Sequence, residues 1–168
     1  SDVSVTLKIL YELGAKVRMI NQSTFEIDPT GINSYVISKE MSSRMRASSY
    51  FIGAMLGRFK KARVAPPGGC DFGGTRPIDQ HLKGFQALGV DIEEAYGKIT
   101  AETYDKEGLM YANNIYLDVV SVGATINLML AACKAAGQTV IENCAREPHV
   151  VDVANFLNSM GAKIRGAG

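Results

Sequence analysis

A pattern used three times constrains the fold of this chain more than any other feature. Leu13-Gly14-Ala15-Lys16-Val17, Leu88-Gly89-Val90-Asp91-Ile92 and Met160-Gly161-Ala162-Lys163-Ile164 begin at positions 13, 88 and 160, offsets of 75 and 72 residues. Each places a large apolar residue before glycine and a charge before a β-branched residue, which reads as a helix end, a glycine stop and a strand start. A period of that length means duplicated supersecondary units rather than a solenoid of short repeats.

The stretches between these junctions fill in the unit. Val3, Leu7, Leu10 and Leu13 recur at helical spacing and predict a helix over 3–13. Strands follow over 16–20 and 24–27 with Asn21-Gln22-Ser23 as their turn, then a strand over 35–37 and a helix over about 42–59. A strand over 63–65 enters a glycine-rich loop. The helix after it carries Ile78, Leu82, Phe85 and Leu88 on one face, and a hairpin of 91–94 and 98–103 turns through Tyr96-Gly97. The remainder reads as strand 114–117, helix 122–136, strand 139–142, helix 148–160 and strand 163–165. The order strand, helix, strand, helix, hairpin thus recurs, and both ends of the chain cut it in mid-unit. The expectation is a single truncated domain over residues 1–168, a piece of a longer protein.

The helix over 122–136 is apolar nearly all round, and its repeat mate over 45–59 is rich in Ala, Gly, Met and Ile. Such helices belong inside. The expected fold class is therefore α/β: an inside-out, barrel-like domain of repeated units, with helices at the centre and sheets outside them.

Composition excludes several functions. With 18 basic and 17 acidic residues the formal net charge is +1, which offers no electrostatic footprint for nucleic acid and no basic face for a membrane. The most apolar run, 119–136, is interrupted by Ser121, Asn127 and Lys134, so it does not read as a membrane span. Three cysteines without a framework spacing point to a reducing compartment, with the cytoplasm as the expected location. With two histidines and no Cys-x-x-Cys, no metal site is expected, and the glycine loop lacks both a P-loop ending and a dinucleotide fingerprint.

The candidate chemistry concentrates between Ala65 and His81. Gly68, Gly69, Gly73 and Gly74 bracket Cys70 with residues that carry no Cβ, so the loop can rearrange around a ligand. Thr75 suits an N-cap and Pro77 the first helical position, which puts Arg76 at a positively polarised helix start that invites an anion. Arg76 favours the Cys70 thiolate and Asp71 opposes it; the alternative is an incidental loop cysteine. A Cys70–His81 hydrolase pair lacks an orienting partner. Cys133, in the buried helix, and Cys144, after a strand, read as structural. Arg46 stands near a helix start where its charge opposes the dipole, which suits either a nearby anion or a solvated side chain. Ser121-Val122-Gly123 opens a helix whose free N–H groups can hold a phosphate.

Taken in order, Met45-Arg46-Ala47-Ser48, Pro67-Gly68-Gly69-Cys70, Arg76-Pro77-Ile78-Asp79-Gln80-His81, Ser121-Val122-Gly123-Ala124-Thr125, Glu142-Asn143-Cys144-Ala145-Arg146-Glu147-Pro148 and Val153-Ala154-Asn155-Phe156-Leu157 resemble the UDP-N-acetylglucosamine 1-carboxyvinyltransferase (enolpyruvyl transferase) family along essentially the whole chain. The resemblance implies the EPSP synthase-like fold of two inside-out α/β domains. It implies transfer of the enolpyruvyl group of phosphoenolpyruvate to the 3-hydroxyl of UDP-N-acetylglucosamine, in peptidoglycan synthesis, with no metal or organic cofactor. Cys70 then matches the loop cysteine that protonates the methylene carbon and is alkylated by fosfomycin. Arg46, Arg76, Pro77, Ile78, Asp79, Gln80, Ser121, Val122 and Gly123 match contacts to the nucleotide sugar.

The chain also departs from the family. Five residues separate Cys70 from Arg76, one more than in many members, and Val119-Val120 stand where some members carry a lysine. The family's second domain and its amino-terminal Lys-Asn pair are absent, so this chain alone is expected to be inactive. The readings that stay open are a non-catalytic nucleotide-sugar-binding paralogue and the sister shikimate-3-phosphate enolpyruvyl transferase.

Overall fold

A computed structural model of the chain describes residues 1–66 and 78–168. Helix α1 (Asp2–Glu12) feeds the hairpin of β1 (Lys16–Asn21) and β2 (Thr24–Asp28). Helix α2 (Lys39–Arg44), a 3₁₀ turn (Arg46–Ser49), helix α3 (Tyr50–Phe59) and strand β3 (Lys61–Val64) follow. Helix α4 (Asp79–Ala87) leads to the hairpin of β4 (Val90–Ala95) and β5 (Lys98–Thr103). The last unit comprises β6 (Asn114–Tyr116), α5 (Val122–Ala132), β7 (Val140–Glu142) and α6 (Pro148–Ser159).

The three glycine junctions are structurally equivalent. Gly14, Gly89 and Gly161 have φ of +107°, +87° and +100°, the left-handed region that ends a helix with little strain only when no Cβ is present. At α1 the Gly14 N–H donates to Tyr11 O and the Ala15 N–H to Leu10 O; at α6 the Gly161 N–H donates to Asn158 O and the Ala162 N–H to Leu157 O. This paired pattern satisfies the last carbonyls of both helices and aims the chain into the next segment in the same way.

Each sheet belongs to one unit. The strands β3, β5 and β4 form an antiparallel sheet in that order, β1 pairs with β2, and β6 pairs with β7 in parallel with Ile115 opposite Ile141. A parallel bridge of Val36 to Arg63 joins the chain before and after α3, as the β6–β7 pair joins the chain before and after α5, so two successive units repeat a crossover through a helix.

Helix α5 explains why its sequence is apolar on every side. Ala124, Leu128 and Ala131 enter the main core with Ile52, Leu56, Phe85 and Leu88, whereas Ile126 and Met129 enter a second core with Ala145, Val150 and Ala154. A helix that serves two cores has no solvent face to make polar. The EPSP synthase-like arrangement of inner helices and outer sheets therefore holds.

Several local expectations are corrected. The helix over 42–59 is broken: Met45 is extended at φ −146° and ψ 124°, and it separates α2 from the 3₁₀ turn that carries Arg46. The strand over 35–37 reduces to the Val36 bridge, held by the Arg63 N–H donating to Tyr35 O and the Ile37 N–H to Arg63 O. Helix α5 ends at Ala132 rather than 136, with Cys133 as its cap. Residues 163–165 form no strand, because no neighbouring strand pairs with them among the described residues.

Candidate functional site

Cys70, Arg76 and Pro77, with Thr75 and the flanking glycines, lie outside the described residues. The other predicted site residues sit on three chain segments. Arg46 opens the 3₁₀ turn, Ile78 to Gln80 start α4, and Ser121 to Gly123 start α5.

At α5, Ser121 is an extended N-cap whose Oγ accepts the Ala124 N–H at 3.2 Å. Ser121 O also accepts the Thr125 hydroxyl at 2.7 Å, and Thr125 Oγ1 in turn accepts the Ala145 N–H at 3.0 Å. The turn is thus anchored to the connection before α6. The cap uses the third N–H of the helix, which leaves those of Val122 and Gly123 as the donors available to an anion. The Val122 side chain packs into the second core, so its contribution at the surface is backbone.

At α4, Ile78 packs against the main core and Asp79 is exposed. Gln80 is committed to a neighbour: its Oε1 accepts the Asp118 N–H at 2.8 Å and its Nε2 donates to Asp118 Oδ2 at 3.3 Å. Lys83 Nζ donates to the other carboxylate oxygen at 2.6 Å. These bonds, that of Lys83 foremost, hold the Asp118 carboxyl below its ordinary range. Gln80 therefore staples α4 to the loop that enters α5, and a ligand would meet its backbone rather than its amide.

Arg46 is exposed and forms no ion pair among the described residues. Its cation acts on the Tyr50 phenol, whose pKa burial nevertheless raises. A guanidinium with no carboxylate partner among the described residues, one turn before a helix, suits an anion.

Two residues without a predicted role join these segments. Asn127, fully buried on α5, accepts the Gly53 N–H at 2.8 Å and donates to Ser49 O at 2.8 Å and to His81 Nδ1 at 2.9 Å. His81, also buried, sets its Nε2 beside Gly123, where a Cβ would stand 3.0 Å from that nitrogen. Asn127 stands out in the sequence only as an amide inside an apolar run. Its three partners lie 46 to 78 residues away, beyond any local signal.

Burial pushes the His81 imidazole down to about 4 from an ordinary 6.5. The native group therefore refuses a proton that the unfolded chain accepts, so stability is full above the unfolded value and falls as pH drops from 6.5 towards 4. Urea unfolding compared at about pH 7 and about pH 4.5 is expected to show a loss of roughly 2–3 kcal/mol from this residue, absent in a His81→Asn variant.

A cleft of about 800 Å³ lies beyond the α5 start, lined by Val120, Glu142, Asn143, Cys144, Arg146 and Gly168 among others. It adjoins Ser121 only through Val120, so it is not the three-segment site. Cys133 and Cys144 are free and half-buried, and burial raises the Cys133 thiol. Among the described residues no group of three or more His, Cys, Asp or Glu could hold a metal, and no helix is long and apolar enough to cross a membrane.

The profile of the EPSP synthase (3-phosphoshikimate 1-carboxyvinyltransferase) family matches residues 1–168. Among curated relatives, UDP-N-acetylglucosamine 1-carboxyvinyltransferase 3 of Caldanaerobacter subterraneus is 55% identical over 99% of this chain and 39% of its own length. UDP-N-acetylglucosamine 1-carboxyvinyltransferase 2 of Clostridium acetobutylicum is 56% identical over 99% and 38%. Among solved structures, the enolpyruvyl transferase NikO of Streptomyces tendae superposes with a TM-score of 0.81 at 20% identity, covering 99% of this chain and 38% of that one. EPSP synthase of Acinetobacter baumannii gives 0.72 at 17%, covering 99% and 37%. The chain spans about 38–39% of the length of these curated relatives.

Proposed function

The chain belongs to the EPSP synthase (3-phosphoshikimate 1-carboxyvinyltransferase) family, and from that premise we propose that it is the cysteine-loop part of an enzyme that transfers the enolpyruvyl group of phosphoenolpyruvate to the 3-hydroxyl of UDP-N-acetylglucosamine, releasing phosphate. The observation that carries this reading is identity of 55–56% over nearly the whole chain to relatives named for that reaction. Residues 1–168 are read as part of one domain, and the second domain of the same protein supplies the rest of the active site. On this reading the protein is cytoplasmic and serves peptidoglycan synthesis.

The proposed division of labour follows from the chemistry. The Cys70 thiol gives its proton to the methylene carbon of phosphoenolpyruvate, which leaves C2 electron-poor and open to the sugar 3-hydroxyl oxygen, whose own proton passes to a base of the second domain as the C–O bond forms. Departure of phosphate, with return of a proton from the former methylene carbon to the Cys70 thiolate, then restores the double bond and the thiol. Arg76 and Arg46 neutralise the diphosphate of the nucleotide, and the N–H groups at Val122 and Gly123 add uncharged donors. Asp79 and Gln80 contribute as part of the backbone that starts α4.

The test is phosphate release by the full-length protein with both substrates, together with calorimetric binding of UDP-N-acetylglucosamine. Turnover with UDP-N-acetylglucosamine and none with shikimate 3-phosphate is the expected result; the reverse preference overturns the reading. Arg76→Ala is expected to weaken nucleotide-sugar binding by roughly 10- to 100-fold, the cost of a charge-assisted pair.

A further inference from the structure

The Asn127 amide bonds two backbone groups at the start of α3, accepting the Gly53 N–H and donating to the Ser49 carbonyl. Their polarity fixes its orientation, because an N–H only donates and a carbonyl only accepts. Asn127 Oδ1 must face Gly53 and Nδ2 must face Ser49, so the remaining N–H points at His81 Nδ1. Nδ1 is thereby an acceptor, and the imidazole proton resides on Nε2, the edge that lies against Gly123. One chain of contacts thus runs from the turn after Arg46, through Asn127 and His81, to the start of α5. His81 itself directly follows Gln80.

We infer that His81 and Asn127 are positioning residues that hold the Arg46 turn, the start of α4 and the start of α5 at one spacing, so that a nucleotide diphosphate meets all three. Neither touches the ligand; both act through the backbone that does. The inference rests on the reading of these segments as the UDP-N-acetylglucosamine site, and it assigns the spacing of that site to a polar link where an apolar core would have left the helices free to slide. Gly53 and Gly123 are part of the same device, since each leaves room for one of its members.

The experiment compares His81→Leu with His81→Asn in the full-length protein. The asparagine Oδ1 takes the place of Nδ1 as acceptor, whereas leucine leaves one N–H of Asn127 buried and unpaired. Expected for His81→Leu is a KM for UDP-N-acetylglucosamine raised about 10-fold, with kcat and the KM for phosphoenolpyruvate within about 3-fold; His81→Asn recovers most of the loss. A folded His81→Leu variant with unchanged KM, or two variants that behave alike, overturns the inference.

Amide spectra of the same variants give a second readout without turnover. His81→Leu should move the resonances of 46–49 and 121–123, and His81→Asn should leave them near their native positions. If the wild-type protein does not use UDP-N-acetylglucosamine, the functional reading fails and the spectra alone decide the positioning claim. Unmoved resonances in His81→Leu refute it. Should His81→Leu fail to fold, His81→Asn decides: native KM and native resonances support the link, and loss of both overturns it.

Discussion

Full-length protein carrying Cys70→Ser is expected to turn over roughly 10²- to 10⁴-fold more slowly than wild type, the range that a positioned general acid supplies. Proton transfer to carbon needs an acid whose pKa lies near the working pH, and a free thiol, at about 8.5, is far closer to that condition than an alkyl hydroxyl. Binding of UDP-N-acetylglucosamine should stay within about 3-fold, since the interaction removed belongs to the transition state. The same variant should lose inactivation by the epoxide fosfomycin, because the thiolate is the nucleophile in both alkylation and metal binding. Phosphate release at saturating substrate, read beside calorimetric binding, separates the two effects. Wild-type turnover with retained fosfomycin sensitivity would remove Cys70 from the mechanism.

Gly53→Ala should cost far more stability than the same change at Gly57, one turn further along α3. The new Cβ would overlap both the backbone carbonyl and the side-chain oxygen of Asn127, and neither is the free end of a flexible chain. Either α3 and α5 separate or the Gly53 N–H loses its Asn127 acceptor, and the penalty by either route reaches about 3 kcal/mol. A fall in melting temperature of roughly 6–12 °C follows for a domain of this size. Gly57→Ala is the internal control on the same helix. Its Cβ would meet Leu130 O at 3.3 Å and Lys134 Cγ at 3.4 Å, a contact that a small shift relieves. The gain in helix propensity offsets that shift, so its stability should stay within about 1 kcal/mol of wild type. Equal midpoints for the two variants would contradict the close approach of α3 and α5.

Legibility in the sequence followed the range of the causes. The β4–β5 turn was readable because Tyr96 and Gly97 both take positive φ, 52° and 66°, and such turns select a narrow set of residues. The glycine junctions were readable for the same reason. The break at Met45 was not, because nothing in Met-Arg-Ala-Ser forbids a helix; buried Met45 side-chain packing and the Ser48 hydroxyl donating to Ser42 O arise only in the fold. Residues 163–165 have strand-like composition, but a strand is a property of a pair. Among the site residues, Ser121 announced itself as a cap. Gln80 carried no sign that its amide serves Asp118, and the pairing of His81 with Asn127 exists only where α3, α4 and α5 meet.

The placement of α5 has a consequence for synthesis. Gly53 on α3 and the side chain that caps it are 74 residues apart in the chain. At about 5–20 residues per second, α3 leaves the ribosome roughly 4–15 s before its partner exists. For that interval Ile52, Met55 and Leu56 lack the part of their core that α5 supplies through Ala124, Leu128 and Ala131. The fold therefore asks the nascent chain to wait with an apolar helix only partly covered, and slowing translation between residues 60 and 122 should lower the yield of soluble protein more than slowing it after residue 132.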